Sequence, residues 1–232
     1  MILGIDTSTS AIAVGLSDGS RTIASLARVA ARGHSEHLAP LVQELLRDSG
    51  IGVRDLSSII VGNGPGPFTG LRVGMVTGLT MGHALRIPVH GLCSLDALAA
   101  QAMYAGFDEP ELLVATDARR KEVYWARYGV RPSEDEIVIM NGPRREAIRS
   151  SGPHVSLPAD LPVDVRALPT VGRGAVLFPE QITGPRLGIE DVDAGILATI
   201  AAARLRAGES LPVEPLYLRR PDALTTAERA AR

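Results

Sequence analysis

Four glycines, Gly70, Gly74, Gly78 and Gly82, recur every four residues inside a stretch, Phe68 to Arg86, that otherwise reads as one long helix. Each costs about 1 kcal/mol relative to alanine in a helix interior, so the four together cost about 3–4 kcal/mol, and only close packing offsets that. At about 100° per residue the stripe drifts through roughly 120° of circumference, which is one face. Leu71, Met75, Met81 and Leu85 share its arc. The other arc holds Val73, Val76, Thr77, Thr80 and Ala84, with Arg72 and His83 as its main charged or titratable members. A helix so poor in charge is buried on more than one side. One side must cover its own sheet. The pattern leaves open whether the glycine face lies on that sheet or against a partner chain.

The segments around this helix define an α/β arrangement. Ile2–Asp6, Ala11–Ser17 and Thr22–Val29 read as three strands, with Asp18-Gly19 as a hairpin turn between the last two. From His34 to Ser49 the period changes. Leu38, Leu41, Val42, Leu45 and Leu46 make one helical stripe, Ser35 is the candidate N-cap, and Gly50 ends the helix. Ser57–Val61 and Pro88–Leu92 are buried strands flanking the glycine helix, and Ser94 is the candidate cap of a helix to Tyr104. The order predicts a mixed sheet covered on both faces.

Near residue 110 a second unit begins. Glu111–Thr116, then Asp117-Ala118-Arg119-Arg120, then a strand from Glu122 to Tyr128 echo Ile5-Asp6-Thr7-Ser8 and the strand from Ala11, a weak internal repeat. A strand at Glu136–Met140, a short helix at Arg144–Ser150, a proline-rich stretch from Pro153 to Pro185 and a helix from Asp191 to Arg206 follow. The expected division is 1–106, a shorter and less regular 107–222, and a polar tail, 223–232.

Composition excludes several chemistries. The net charge of −2 offers no global field for nucleic acid. Lys121 is the single lysine and lies between Arg120 and Glu122, so no Gly-Lys-Ser/Thr phosphate loop exists and a Schiff base could form only there. One cysteine, Cys93, excludes an internal disulfide and a multi-cysteine zinc site, and reads as a buried thiol. No apolar run is long enough to span a membrane, and Met1–Asp6 reads as a strand rather than a leader, so a cytoplasmic chain is expected. His34 and His37 with Glu36 supply too few ligands for a metal site.

Two segments keep alternative readings. Asn63-Gly64-Pro65-Gly66-Pro67-Phe68-Thr69-Gly70 is a stiff strand-to-helix loop whose N–H groups suit an anion, but without a lysine a tight turn is favoured. Asp6-Thr7-Ser8-Thr9 is either a Mg²⁺–phosphate turn or an Asx turn. The cationic clusters at Arg119-Arg120-Lys121, Arg144-Arg145 and Arg219-Arg220 read as solvated faces.

Taken in order, Ile2-Leu3-Gly4-Ile5-Asp6-Thr7-Ser8-Thr9, His34-Ser35-Glu36, Gly64-Pro65-Gly66-Pro67-Phe68-Thr69-Gly70-Leu71-Arg72, Ser94-Leu95-Asp96-Ala97-Leu98-Ala99, Asp117 to Tyr124 and Pro215-Leu216-Tyr217-Leu218-Arg219 resemble the bacterial tRNA threonylcarbamoyladenosine biosynthesis family TsaB (YeaZ). The matches run from residue 1 to about 220. Pro67 stands where the family usually has serine.

The resemblance implies an actin-like, ribonuclease-H-like fold of two lobes, the second reduced. It implies a non-catalytic subunit that activates the paralogous transferase TsaD in modifying adenosine 37 of tRNA. TsaD pairs with it through the first lobe, and the ATPase TsaE joins them. Contact with tRNA would be through the complex, and a homodimer is possible in isolation. No cofactor is implied. The transferase's metal-binding His-x-x-x-His falls on Ser94 and Leu98, Thr7 replaces the glycine of the first phosphate turn, and Ala118-Arg119-Arg120 replaces the second. Asp6, Thr7, Ser8 and Asp117 are then a vestigial nucleotide site. Leu38, Leu41, Leu45, Gly70, Gly74, Met75, Gly78 and Gly82 are the expected interface. An ATP-hydrolysing protein and, last, a peptidase are the alternatives.

Overall fold

The computed structural model describes residues 1–29, 34–132 and 145–219, with the side chains of His34 and Ser35 excepted. The strand expected at 136–140 and the polar tail lie outside the described residues.

The first sheet is built from β1 (Ile2–Asp6), β2 (Ala11–Ser17), β3 (Thr22–Val29), β4 (Ser58–Gly62) and β5 (Val89–Leu92), in the order β3-β2-β1-β4-β5. The β1–β2 and β2–β3 pairs are antiparallel, whereas β4 and β5 add in parallel. The two parallel additions need crossovers, and the crossover helices are α1 (His34–Asp48) and α2 (Phe68–Leu85). Ser35 falls inside α1 rather than at its cap, because the helix begins at His34.

The second sheet repeats the first in shortened form. β6 (Glu111–Asp117) and β7 (Val123–Pro132) form an antiparallel hairpin, β8 (Arg145–Ser156) extends it, and the two-residue β9 (Thr170–Val171) joins β6 in parallel. The order β8-β7-β6-β9 matches β3-β2-β1-β4, so the weak repeat at Asp6 and Asp117 reflects two related folding units, the second without a fifth strand.

The helix expected at 144–150 is a correction: residues 145–150 belong to β8, with Arg145–Arg149 paired to Tyr128–Pro132 of β7, and residue 144 lies outside the described residues. A seven-residue helix has little to offset its nucleation cost, whereas a ten-residue strand offers a full row of backbone partners.

α3 (Ser94–Tyr104) and α6 (Ala194–Arg206) lie between the sheets. Alternation decides the layers. Leu3 and Ile5 of β1 point to the cluster under α1 and α2, while Leu112 and Val114 of β6 point to the cluster around α3 and α6. Leu113 and Ala115 face outward to a third cluster with Trp125, Leu161, Val165 and Ile182, under the short helices α4 (Val163–Arg166) and α5 (Gly174–Leu177). The expected boundary near 106 separates the sheets but not the helices. α6, counted with the second unit, packs on β1, β2 and β3, and α3 packs on β6 and β8. α6 starts at Ala194 rather than Asp191, because Asp193 is its N-cap and accepts from the N–H groups of Gly195 at 2.8 Å and Ile196 at 3.0 Å.

Candidate functional site

The turn after β1 is spent on internal bonds. Asp6 is fully buried. Its Oδ1 accepts from the N–H of Ser8 at 2.9 Å and from the Ser8 hydroxyl at 2.8 Å. Its Oδ2 accepts from the Ser94 hydroxyl at 2.6 Å. Burial pushes its carboxyl above the usual carboxylate range, against the lowering pull of Ser94 and Ser8. Ser94 is therefore not the cap of α3; Cys93 occupies that position without a side-chain bond, and the Ser94 hydroxyl is committed to Asp6. Thr7 donates its hydroxyl to the Gly70 carbonyl at 2.7 Å and accepts from the N–H of Gly74 at 3.0 Å. The turn expected to be a vestigial nucleotide site thus fastens α2 to the sheet.

The second turn is similarly occupied. Asp117 accepts from the Arg119 N–H at 2.7 Å and pairs with the Arg119 guanidinium at 3.0 Å. Between the two turns is a gap of about 10 Å³, lined by Thr9, Ser10, Thr116, Asp117, Arg173 and Glu190. That is room for about one water molecule. Of the four vestigial-site residues, Asp6, Thr7 and Ser8 are brought together but buried, whereas Asp117 lines this gap with Thr9 and Ser10. Among the described residues no three His, Cys, Asp or Glu side chains are grouped as a metal site.

The glycine stripe is a second correction. Gly74, Gly78 and Gly82 are buried against the chain's own sheet. A Cβ on Gly74 would collide with Thr7 Oγ1, one on Gly78 with Val61, and one on Gly82 with Val89. Gly70 lies over the Thr7 carbonyl. The small residues make room for β-branched side chains and for the turn, so the stripe faces the chain's own sheet. Met75, Leu38, Leu41 and Leu45 are likewise core residues of the cluster between α1, α2 and the sheet. Of the eight expected interface residues, seven are buried in the chain's own core and Gly70 is half-buried.

The surface that sequence reasoning passed over lies on the opposite side of α2. Val76 is 57% exposed, Leu79 44% and Phe68 40%. Arg72, Thr80, His83 and Ala84 are exposed beside them. The available signal was the same absence of charge that marked the helix; what was missing was which side faced the sheet.

Below α3 a buried carboxylate joins the layers. Asp96 accepts from Tyr128 Oη at 2.7 Å and from Arg204 Nη1 at 2.9 Å, with Arg149 Nε 3.5 Å away. These partners come from β7, α6 and β8. Arg149 also reaches the sulfur of Cys93 at 3.6 Å. Burial pushes the Cys93 thiol up to about 12, so it is not a nucleophile near neutral pH.

A sequence model of the family described as "TsaD: tRNA N6-adenosine threonylcarbamoyltransferase" matches residues 24–142. An uncharacterized protein of Mycobacterium leprae is 40% identical over 230 residues, covering 96% of this chain and 56% of that one. The tRNA threonylcarbamoyladenosine biosynthesis protein TsaB of Escherichia coli is 37% identical over 150 residues, covering 63% of this chain and 61% of that one. Among solved structures, YeaZ from Pseudomonas aeruginosa superimposes with a TM-score of 0.75 at 26% identity, covering 94% of this chain and 99% of that one. The chain thus spans under two thirds of the length of the first two relatives.

Proposed function

The chain belongs to the TsaB (YeaZ) branch of the tRNA N6-adenosine threonylcarbamoyltransferase family, and from that premise we propose that it serves threonylcarbamoyladenosine formation on tRNA as a non-catalytic subunit that docks on and activates a TsaD-type transferase. TsaE is the third member of the assembly in this reading, and the site of action is the cytoplasm. No described helix is long and apolar enough to cross a membrane.

The observation that carries the proposal is the uncovered outer face of α2. Phe68, Val76 and Leu79 leave apolar surface in water on a helix whose inner face is held tightly by Thr7, Val61 and Val89. Exposed apolar side chains on a helix fastened along its other side make a surface suited to being covered. Two further facts favour docking over catalysis. Asp6 has both carboxylate oxygens engaged by its own chain, and the gap between the two turns has no space for a phosphate chain. An ATPase in its own right would need both.

The test is copurification with the transferase subunit. Wild-type chain should retain it, and Leu79→Glu should lose it while keeping its fold. Depletion of the protein in cells should remove threonylcarbamoyladenosine from tRNA digests. Normal modification in depleted cells would overturn the proposal.

A further inference from the structure

We propose that residues 211–219 form a releasable strap that ties the first turn of α2 to the β6–β7 turn and so governs the docking face of α2; the latter claim rests on the docking reading above. These residues have no regular secondary structure, and none of them is fully buried. Their backbone is fastened to the first lobe at two places. The N–H of Gly91, in the edge strand β5, donates to the Leu211 carbonyl at 3.0 Å, and the Leu216 N–H donates to the Asn63 carbonyl at 2.8 Å. Leu211, Val213 and Leu216 pack, half-buried, on the two clusters that flank the first sheet. Pro212 and Pro215 each fix φ, so the strap is stiff and loses little chain entropy when it is laid down. A segment with few buried contacts and backbone bonds near water opens at far lower cost than the whole fold.

The end of the strap reaches two elements. The Tyr217 ring stands 5.1 Å from that of Phe68, the first residue of α2, tilted by 35°, and the Arg72 guanidinium lies 4.8 Å from the same Phe68 centroid. α2 begins after Pro67 with no side-chain cap and no acidic residue in its first turn, so the ring contact supports a helix end that lacks the usual stabilisers. Two residues on, Arg219 donates to the Ala118 carbonyl at 3.1 Å and pairs with Glu122. Ala118 and Glu122 close the β6–β7 turn, joined by a bond from the Ala118 N–H to the Glu122 carbonyl at 3.0 Å. Between them Arg119, Arg120 and Lys121 hold three consecutive left-handed conformations, at φ 62°, 54° and 64°. Such conformations are costly for residues with a Cβ and persist where the surroundings hold them, and Arg219 grips both closing residues. A cleft of about 250 Å³ lies between the strap, the turn and the start of α2, so a moving strap meets open space there rather than packed core. Laid down, the strap holds the strained turn and the Phe68 ring; released, it frees both together. Phe68 stands at the N-terminal end of the outer face that carries Val76 and Leu79, and through it the state of the second lobe reaches the docking face.

Amide hydrogen exchange of the full chain, read residue by residue by NMR, tests the strap. Arg219→Ala cuts its end on the second lobe. Exchange of the Gly91 and Leu216 amides should then rise about tenfold or more, together with that of Ala118 and Glu122. Tyr217→Ala cuts the contact with α2 and should raise exchange at Gly91, Ala118 and Glu122 to a similar extent. The Gly74 amide, held by Thr7 Oγ1, and the Leu197 amide, at the start of α6, should stay within about twofold in both variants. A change confined to the amides beside each substitution overturns the strap. So does an equal rise at Gly74 and Leu197, which would mark general loosening. Should Arg219→Ala not fold, Tyr217→Ala reads the same coupling alone. Docking is read separately. Bound transferase should slow exchange at Gly91 and Leu216, and by reciprocity both variants should hold the transferase about fivefold or more weakly. Unchanged affinity in both variants overturns control of the docking face. If the wild-type chain retains no transferase, the docking reading fails and that control with it, whereas the exchange measurements still decide the strap.

Discussion

Ser94 donates its hydroxyl to Asp6 Oδ2 at 2.6 Å, tying the first turn of α3 to the end of β1 across 88 positions of sequence. Ser94→Ala leaves a fully buried carboxylate with one donor fewer. The expected loss is about 1–3 kcal/mol by urea denaturation. The pH dependence identifies the cause. Asp6 titrates above its ordinary 3.8 when folded, so its contribution is full below that value and is lost as pH rises through the raised one. Removing Ser94 takes away a bond that lowers the carboxyl, so the deficit of the variant should widen as pH rises through the raised value. A deficit independent of pH would point to packing instead.

Gly74→Ala adds a methyl group where Thr7 Oγ1 already stands. The gain in helix propensity is about 1 kcal/mol, while overpacking costs about 1–3 kcal/mol and the Thr7 bonds are disturbed as well. A lowered melting temperature is expected. Gly78→Leu, directed into Val61, should prevent folding. Val76→Glu and Leu79→Glu on the outer face should stay within about 0.5 kcal/mol of wild type. If the glycine variants fold normally and the outer variants do not, the orientation of α2 is wrong.

Asp96→Ala strands Arg204, Arg149 and Tyr128 around an empty place. Breaking a buried ion pair by removing one partner costs about 3–5 kcal/mol, and here three elements lose their common acceptor. Chemical denaturation should show this loss, with Asp96→Asn intermediate because an amide oxygen still accepts. A loss below about 1 kcal/mol would mean that the two arginines reach water freely.

Cys93 should resist alkylation in the native protein at mild alkaline pH, because burial holds its thiol at about 12. Labelling by iodoacetamide should accelerate at least about a hundredfold in denaturant and follow the unfolding curve. Rapid labelling of the folded chain would contradict the burial of the β5–α3 junction.

Local patterning made much of the fold legible. The bounds of β1, β2 and β3 follow from short apolar runs separated by Asp6–Ser10 and by Asp18-Gly19, and α2 follows from its low charge and from the proline-rich loop before it. What stayed hidden was long-range. The face of α2 that Gly74 and Gly78 occupy depends on Thr7 and Val61 in other elements. The role of Ser94 depends on Asp6, and that of Asp96 on Arg149 and Arg204. Residues 145–150 lack caps and a clear period, so their state is decided by the partner strand β7. The candidate docking face was visible as a composition but not as a direction.

The placement of α6 has a consequence for biosynthesis. Residues 2–92 supply every strand of the first sheet, yet the helix that shields one side of that sheet begins at Ala194. Gly15 of β2 lies directly beneath Gly195. A ribosome therefore releases the whole sheet with that side bare and must add about a hundred residues before the shield emerges. Nascent chains halted between the two points should engage chaperones strongly and be cut readily by proteases, and both behaviours should vanish once the helix has been made.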